Sequence, residues 1–538
     1  MMRSKRPLLA ALLLVAASGW PPGAAAEEAA AQGSGDAHRP ASAAVLPADK
    51  SAVTHHVIRI DGRDLSYQAV AGILPVAAMG DLPEARIFYV SYTLDGADKK
   101  DRPVTFAFNG GPGAASAYLH LGAIGPRRLV LDADGTVPSP PARFADNPLT
   151  WLTFTDLVFI DPVGTGFSRG VSTKAEKGEA TKGEQVDDKP FFGTRADNLT
   201  LGRVIRLYLT RSDRWLSPKF LVGESYGGFR VASLAEHLQS DFGIALNGAV
   251  LISPVLDFAL IRSNRYGVLP WALKLPTLAA VALYHGKSSL PHPAGGITRA
   301  ALAEVESWSL EGYLTGLAQG DALPAAAEEA LVDKLAAYTG LPKDLVARSR
   351  GRIRNGEFAK MLLHGTGRVV GFYDGSVTAL DPDPESPVLR GEDRTLPQLN
   401  AALGPAFNAY LREELKFDTD LPYLVLNPAV GRQWHWHGES GDQGFAEAIG
   451  SLKAGVTFNP HLKVLIAHGL FDLVTPYFAS AYAISQMNLD PAVRANVALK
   501  TYAAGHMIYT HRDSREALFH DAADFFRGAA AAAAPRTP

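Results

Sequence analysis

Phe220-Leu221-Val222-Gly223-Glu224-Ser225-Tyr226-Gly227-Gly228 decides how this chain is read. An apolar run with the character of a buried strand enters Gly-x-Ser-x-Gly, and Phe229 to Leu238 continues with helical spacing. The pattern alone turns up by accident in roughly one chain in six of this length at ordinary residue usage. Its placement between strand and helix gives it meaning. Such a turn forces its central residue into a strained conformation, and only small flanking residues let the two backbones pass. Ser225 is therefore expected to project above a sheet edge as a nucleophile.

Serine is a poor nucleophile at its own pKa and needs an adjacent base, itself oriented by an acid. On strand–turn–helix scaffolds of this kind the chain order is Ser, acid, His. Two late apolar runs end on those residue types in that order. Lys463 to Ala467 leads to Asp472, and Val497 to Tyr502 leads to His506. His468 precedes the acid and His511 lies in a polar stretch, so neither fits as well. An oxyanion hole requires two backbone N–H groups, one from the residue after the nucleophile, Tyr226. The second must come from a loop whose backbone approaches closely. Asn109-Gly110-Gly111-Pro112-Gly113 meets that need, with Gly111 as the expected donor. Neither glycine-rich loop has the lysine and spacing of a phosphate cradle.

Working outward, Val53 to Ile60, an Asp61-Gly62 turn and Leu65 to Val70 predict an antiparallel hairpin, followed by a strand over Arg86 to Tyr92. Short apolar runs then alternate with helical stretches: Val104 to Phe108, Leu157 to Ile160, Phe220 to Val222 and Gly248 to Ile252. That alternation predicts an α/β fold, a mostly parallel sheet covered on both faces, with ligands beyond the carboxyl ends of its strands. Residues 255–462 read as a mainly helical insertion capping the sheet edge, because strand-like runs resume at Lys463. The expected division is a core first part at 51–254, the cap at 255–462 and a core second part at 463–527. Leu269 to Tyr284 is apolar but interrupted by Pro270, Lys274 and Pro276, so it reads as a buried helix rather than a membrane span. Lys174 to Lys189 reads as a solvated excursion.

The chain has 538 residues, 47% of them hydrophobic, and no cysteine, which excludes disulfides, thiolate metal sites and a thiol nucleophile. A formal net charge of −3 gives no footprint for nucleic acid. No cofactor or metal is expected. His55 and His56 point to opposite faces of a strand, and His435-Trp436-His437 lacks a third ligand. Arg3, Lys5 and Arg6, the apolar run Leu8 to Ala17 and Ala24-Ala25-Ala26 predict a signal peptide over 1–26, and hence export to a periplasm or beyond the cell without stable membrane insertion. Residues 27–50 and 528–538 are small and polar and read as a disordered linker and tail.

With these residues assembled, the sequence resembles the serine carboxypeptidases of the α/β-hydrolase fold, most of all their bacterial secreted branch. The motifs are Asn109 to Gly113, Asp161-Pro162-Val163-Gly164-Thr165-Gly166-Phe167-Ser168, Gly223 to Gly228 and Gly505-His506-Met507. The resemblance implies removal of the last residue of a peptide through an acyl-enzyme on Ser225, at acidic to neutral pH. It implies Asp472 and His506 as partners, Gly111 and Tyr226 as oxyanion hole, and Asn109, Gly110 and Glu224 as substrate-binding residues. A carboxyl group that binds a carboxylate must share a proton with it. The chain departs from the family pattern at Ala107, where a Trp is usual, at Ala123, where a Glu normally partners Glu224, and at Ala114, where a Cys is usual. These departures leave esterase or acyltransferase chemistry with the same triad as an alternative, and a catalytically silent binding protein as a second.

Overall fold

The computed structural model describes residues 45–79, 82–172, 185–389, 393, 395–436 and 445–531. The expected leader, most of the linker, most of the 174–189 excursion, His437 and residues 532–538 lie outside them. Strands β1 (Ser51–Ile60), β2 (Arg63–Val76) and β3 (Glu84–Leu94) form an antiparallel meander. Strand β4 (Val104–Phe108) and then β5 (Asp156–Ile160) follow in the chain, and β5 lies antiparallel to β3. From there the sheet is parallel through β6 (Lys219–Glu224), β7 (Gly248–Ile252), β8 (Lys463–Gly469) and β9 (Val497–Tyr502). The spatial order is β1-β2-β3-β5-β4-β6-β7-β8-β9. The expected α/β-hydrolase sheet, parallel with antiparallel strands at its N-terminal edge, is what the chain forms.

Strand residues alternate between two cores. Phe220 and Val222 enter one cluster with Leu518, Ala522 and Phe526 of the last helix, α6 (Arg512–Ala531). Leu221 enters the other, with residues of α1 (Thr194–Arg211) and α2 (Tyr226–Ser240). Burial on both faces explains why these strands read as continuous apolar runs. A third cluster lies between β7 and β8 in sequence. It is built on α3 (Leu269–Tyr284), buried from Pro270 to Leu283, and on α4 (Ala325–Thr339). A hairpin of Arg368–Val370 with Thr378–Leu380 joins it through Val369 and Val370, whereas α5 (Thr395–Glu413) packs its buried face into the first cluster. Leu470, Phe471 and Leu473 join the third cluster, so the residues flanking Asp472 are gripped by apolar packing.

Two boundaries need correction. Residues 45–50 are not a free linker: Leu46 is buried in the core and the Lys50 carbonyl accepts from the Ile73 N–H. Nor does the last helix stop at 527, because α6 continues to Ala531. Small residues that read as a tail are also good helix formers, and here they extend a helix already packed on the sheet.

Candidate active site

β6 ends at Glu224 and α2 starts at Tyr226, leaving Ser225 alone in the turn with φ 61° and ψ −123°. From Phe220 to Ala235 every residue but Ser225 is buried. The glycines around it are steric requirements. A Cβ on Gly223 would stand 2.0 Å from the Gly227 carbonyl oxygen, and one on Gly227 2.4 Å from that of Phe108. The turn is pinned by the Ser225 N–H on the Ile252 carbonyl (2.9 Å) and the Gly228 N–H on the Ser225 carbonyl (2.9 Å).

Asp472 and His506 are brought together from the ends of β8 and β9. His506 Nδ1 and Asp472 Oδ2 are 2.7 Å apart. The carboxylate also accepts from the Val474 N–H (2.8 Å), the Thr475 N–H (3.0 Å) and the Thr475 hydroxyl (2.5 Å), so every lone-pair direction is engaged. With Nδ1 donating to Asp472, Nε2 is the ring nitrogen left to take a proton. Burial pushes the imidazole pKa down, but the charges of Asp472 and Glu224 outweigh it and raise the pKa above its ordinary value. The His506 backbone is held by its N–H on the Tyr373 carbonyl (2.6 Å) and by the Ser253 hydroxyl on its own carbonyl (2.7 Å). Since Ser225 is tied to Ile252 and His506 to Ser253, nucleophile and imidazole flank the same end of β7. Among the described residues the Ser225 hydroxyl has no hydrogen-bond partner, so of the two links expected among Ser225, His506 and Asp472 only that between His506 and Asp472 is made. Such links are often long in a free enzyme and tighten on the substrate complex.

The glycine-rich loop lies against the turn. A Cβ on Gly110 would stand 2.4 Å from the Tyr226 nitrogen, and Gly111 has φ 100°, which favours glycine. Among the described residues neither the Gly111 nor the Tyr226 N–H finds an acceptor, leaving both free for a developing oxyanion. Two devices hold this loop, and sequence reasoning assigned neither. Asp161 accepts from the Ser116 N–H (2.8 Å) and the Tyr423 hydroxyl (2.8 Å), and burial pushes its carboxyl up to about 7. Arg230 pairs with buried Asp197 (2.6 Å), lies over the Tyr226 ring and donates to the Asn109 carbonyl.

Asn109 and Glu224 meet as expected: Asn109 Nδ2 donates to Glu224 Oε2 (3.0 Å), while Asn109 Oδ1 accepts from the Leu119 N–H (3.0 Å). A further donor was not foreseen. The Tyr509 hydroxyl gives a 2.6 Å hydrogen bond to the same Oε2. Burial raises the Glu224 pKa, against the lowering effects of His506, Tyr509 and Asn109. The rival histidines are elsewhere engaged. His468 Nε2 sits on the Ser480 hydroxyl (2.8 Å), and burial lowers its pKa to about 4. His511 Nε2 is paired with Asp374 (2.7 Å). Trp434 and Trp436 pack edge-on against the Tyr226 ring, whereas the Trp271 N–H caps the Asn264 carbonyl and Tyr284 packs on Phe471.

Residues 63–272 match the model of the serine carboxypeptidase family. Similar curated proteins include the pheromone-processing carboxypeptidase KEX1 of Yarrowia lipolytica, 29% identical over 32% of this chain and 24% of that protein. The protein of that name from Puccinia graminis f. sp. tritici is 40% identical over 25% of this chain and 18% of its own. Serine carboxypeptidase-like 36 of Arabidopsis thaliana is 24% identical over 36% of each. The chain thus spans about a quarter to two-fifths of the first curated relatives it matches. Among solved structures, Kex1(delta)p of Saccharomyces cerevisiae aligns over 86% of this chain and 91% of its own, with TM-score 0.50 and 16% identity, which speaks to the fold. It is the segment 63–272, carrying the glycine-rich loop and the nucleophile turn, that matches the serine carboxypeptidase family, and the sheet around it is that of an α/β hydrolase.

Proposed function

We propose that the protein is a serine-type carboxypeptidase that releases the last residue of a peptide. Ser225 Oγ attacks the carbonyl carbon of the terminal peptide bond as His506 Nε2 takes its proton. Asp472 holds the imidazole in the required tautomer and stabilises the imidazolium. The Gly111 and Tyr226 N–H groups receive the oxyanion. Collapse breaks the C–N bond, and His506 returns the proton to the departing amine. Water, deprotonated by His506, then cleaves the acyl-enzyme and restores Ser225.

The observation that carries the exopeptidase reading is a buried, hydrogen-bonded Glu224 one residue before the nucleophile, with its pKa raised. A neutral carboxyl can donate to a substrate's terminal carboxylate, while an ionised one repels it. Binding of a free C-terminus is therefore strong below the Glu224 pKa and is lost as pH rises through it. His506 must be neutral to act as base, so activity also falls as pH drops through its own raised pKa. The two are linked: once Glu224 is neutral, it no longer raises His506.

The test is turnover of N-blocked dipeptides against the same dipeptides C-terminally amidated, across acidic to mildly basic pH. The free acids are expected to be preferred, with an alkaline limb that the amides lack. No release of the terminal residue by protein whose Ser225 is still phosphonylated would refute the reading. Ala123, in place of the usual partner carboxyl, favours esterase or acyltransferase chemistry as the second reading. Faster turnover of esters lacking a free carboxylate would establish it. We also read 255–462 as a cap, and residues 1–26 as an export leader to the periplasm or beyond, in the manner of a bacterial secreted enzyme. Among the described residues no helix is long and apolar enough to cross a membrane.

A further inference from the structure

Both donors that reach Glu224 reach one oxygen. Asn109 Nδ2 and the Tyr509 hydroxyl converge on Oε2, at 3.0 and 2.6 Å. The Asn109 orientation is not free, because its Oδ1 is occupied by the Leu119 N–H. Oε1 has no partner among the described residues and is not one of the sealed, unpartnered buried atoms. An oxygen accepting two hydrogen bonds is a poor place for the acid proton, since that proton would face two donors. The proton of neutral Glu224 is thereby directed to Oε1, the open side.

We propose that Tyr509 is a specificity-determining positioning residue: with Asn109 it fixes the Glu224 proton on Oε1, where it meets the terminal carboxylate of the substrate. The proposal rests on the carboxypeptidase reading above. The Tyr509 ring packs on Gly122, next in the chain to Ala123, where the family resemblance implies a second carboxyl: a Cβ on Gly122 would lie 2.9 Å from that ring. A phenol differs from a second carboxyl in one decisive respect. Its pKa is raised far above its ordinary value by burial and by Glu224, so it donates throughout the working range and never adds a negative charge. The groups facing Glu224 are His506 and Asp472 from the loops after β9 and β8, Tyr509, Asn109, and more distantly Tyr118 and Tyr373. Of the two groups that hydrogen-bond Glu224, Tyr509 is the one that can be altered without touching the glycine-rich loop.

The hydrogen bond from Tyr509 also favours the ionised carboxylate, so removing it should raise the Glu224 pKa. The test is the pH profile of kcat and KM for Tyr509→Phe on N-blocked dipeptides with free and amidated C-termini. We expect KM for the free acid to rise roughly threefold to tenfold at low pH, with kcat nearly kept. The alkaline limb should move up by about one pH unit, so that the variant and wild-type profiles cross. Amide turnover, which does not use the Glu224 proton for binding, should change far less than turnover of the free acid. A second variant keeps the shape of the ring: 3,5-difluorotyrosine at position 509 is a stronger donor and should move the limb down. Phosphonylation of Ser225 at the wild-type rate certifies each variant as folded. Limbs that stay in place, or that move the same way in both variants, would overturn the role of Tyr509 and leave the carboxypeptidase reading standing. Wild-type protein that ignores the free carboxylate would instead sink that reading itself.

Discussion

The two ends of the proposed triad are held by different physics. At the nucleophile the constraints are main-chain: a residue at φ 61°, glycines whose side-chain carbon would overlap neighbouring backbone, and a loop pressed to the Tyr226 nitrogen. At the acid and base, side-chain hydroxyls share the work with the main chain: Thr475 donates to Asp472 and Ser253 to the His506 carbonyl, beside the backbone N–H groups of Val474 and Thr475 on Asp472 and the Tyr373 carbonyl on the His506 N–H. Main-chain sterics admit few residue types and leave a readable pattern. A side-chain bond such as that from Ser253 to the His506 carbonyl, between positions far apart in the chain, leaves none. The match to the serine carboxypeptidase model ends at residue 272, before either Asp472 or His506 is reached.

Substitutions break this contrast from either end. The largest effect is expected at the acid: Asp472→Asn removes the charge that supports the imidazolium and should lower kcat by about 10⁴-fold, measured on the preferred dipeptide. Gly110→Ala must displace backbone, since its Cβ would sit 2.4 Å from the Tyr226 nitrogen. It should cost about 10²- to 10³-fold in kcat through the oxyanion hole. Thr475→Val removes one donor among several on Asp472 and should cost roughly tenfold, with most of the loss restored in Thr475→Ser. A Gly110→Ala enzyme of near-normal activity, or a Thr475→Val enzyme as poor as Asp472→Asn, would erase the distinction between the two ends.

Much of the fold was legible, for stated reasons. The parallel strands are buried on both faces and so read as apolar runs, and the turn at Ser225 tolerates only glycine at its flanks. Chain order and a place after strands singled out Asp472 and His506, which the fold brings to 2.7 Å of each other, and the family resemblance singled out Asn109 and Glu224, which lie 3.0 Å apart. Tyr509 was missed because its role exists only through contacts with Glu224 and Gly122, hundreds of residues away. Asp161, Arg230 and Asp197 went unassigned because neither a buried ion pair nor a buried carboxyl held by Ser116 and Tyr423 has a local signature. Leu46 was lost to composition: one buried leucine in a small, polar stretch is invisible to an average taken over that stretch.

The central claim is that Ser225, His506 and Asp472 act as one unit above the sheet. Its most direct test is the rate at which a fluorophosphonate labels the protein across pH, in wild type and in His506→Ala, with the adduct located by peptide mass spectrometry. The account predicts an adduct on Ser225, a rate that falls as pH drops through the raised pKa of His506, and near-complete loss of labelling in the variant. Equal labelling of Ser225 in both proteins at every pH, or an adduct on another residue, would contradict it.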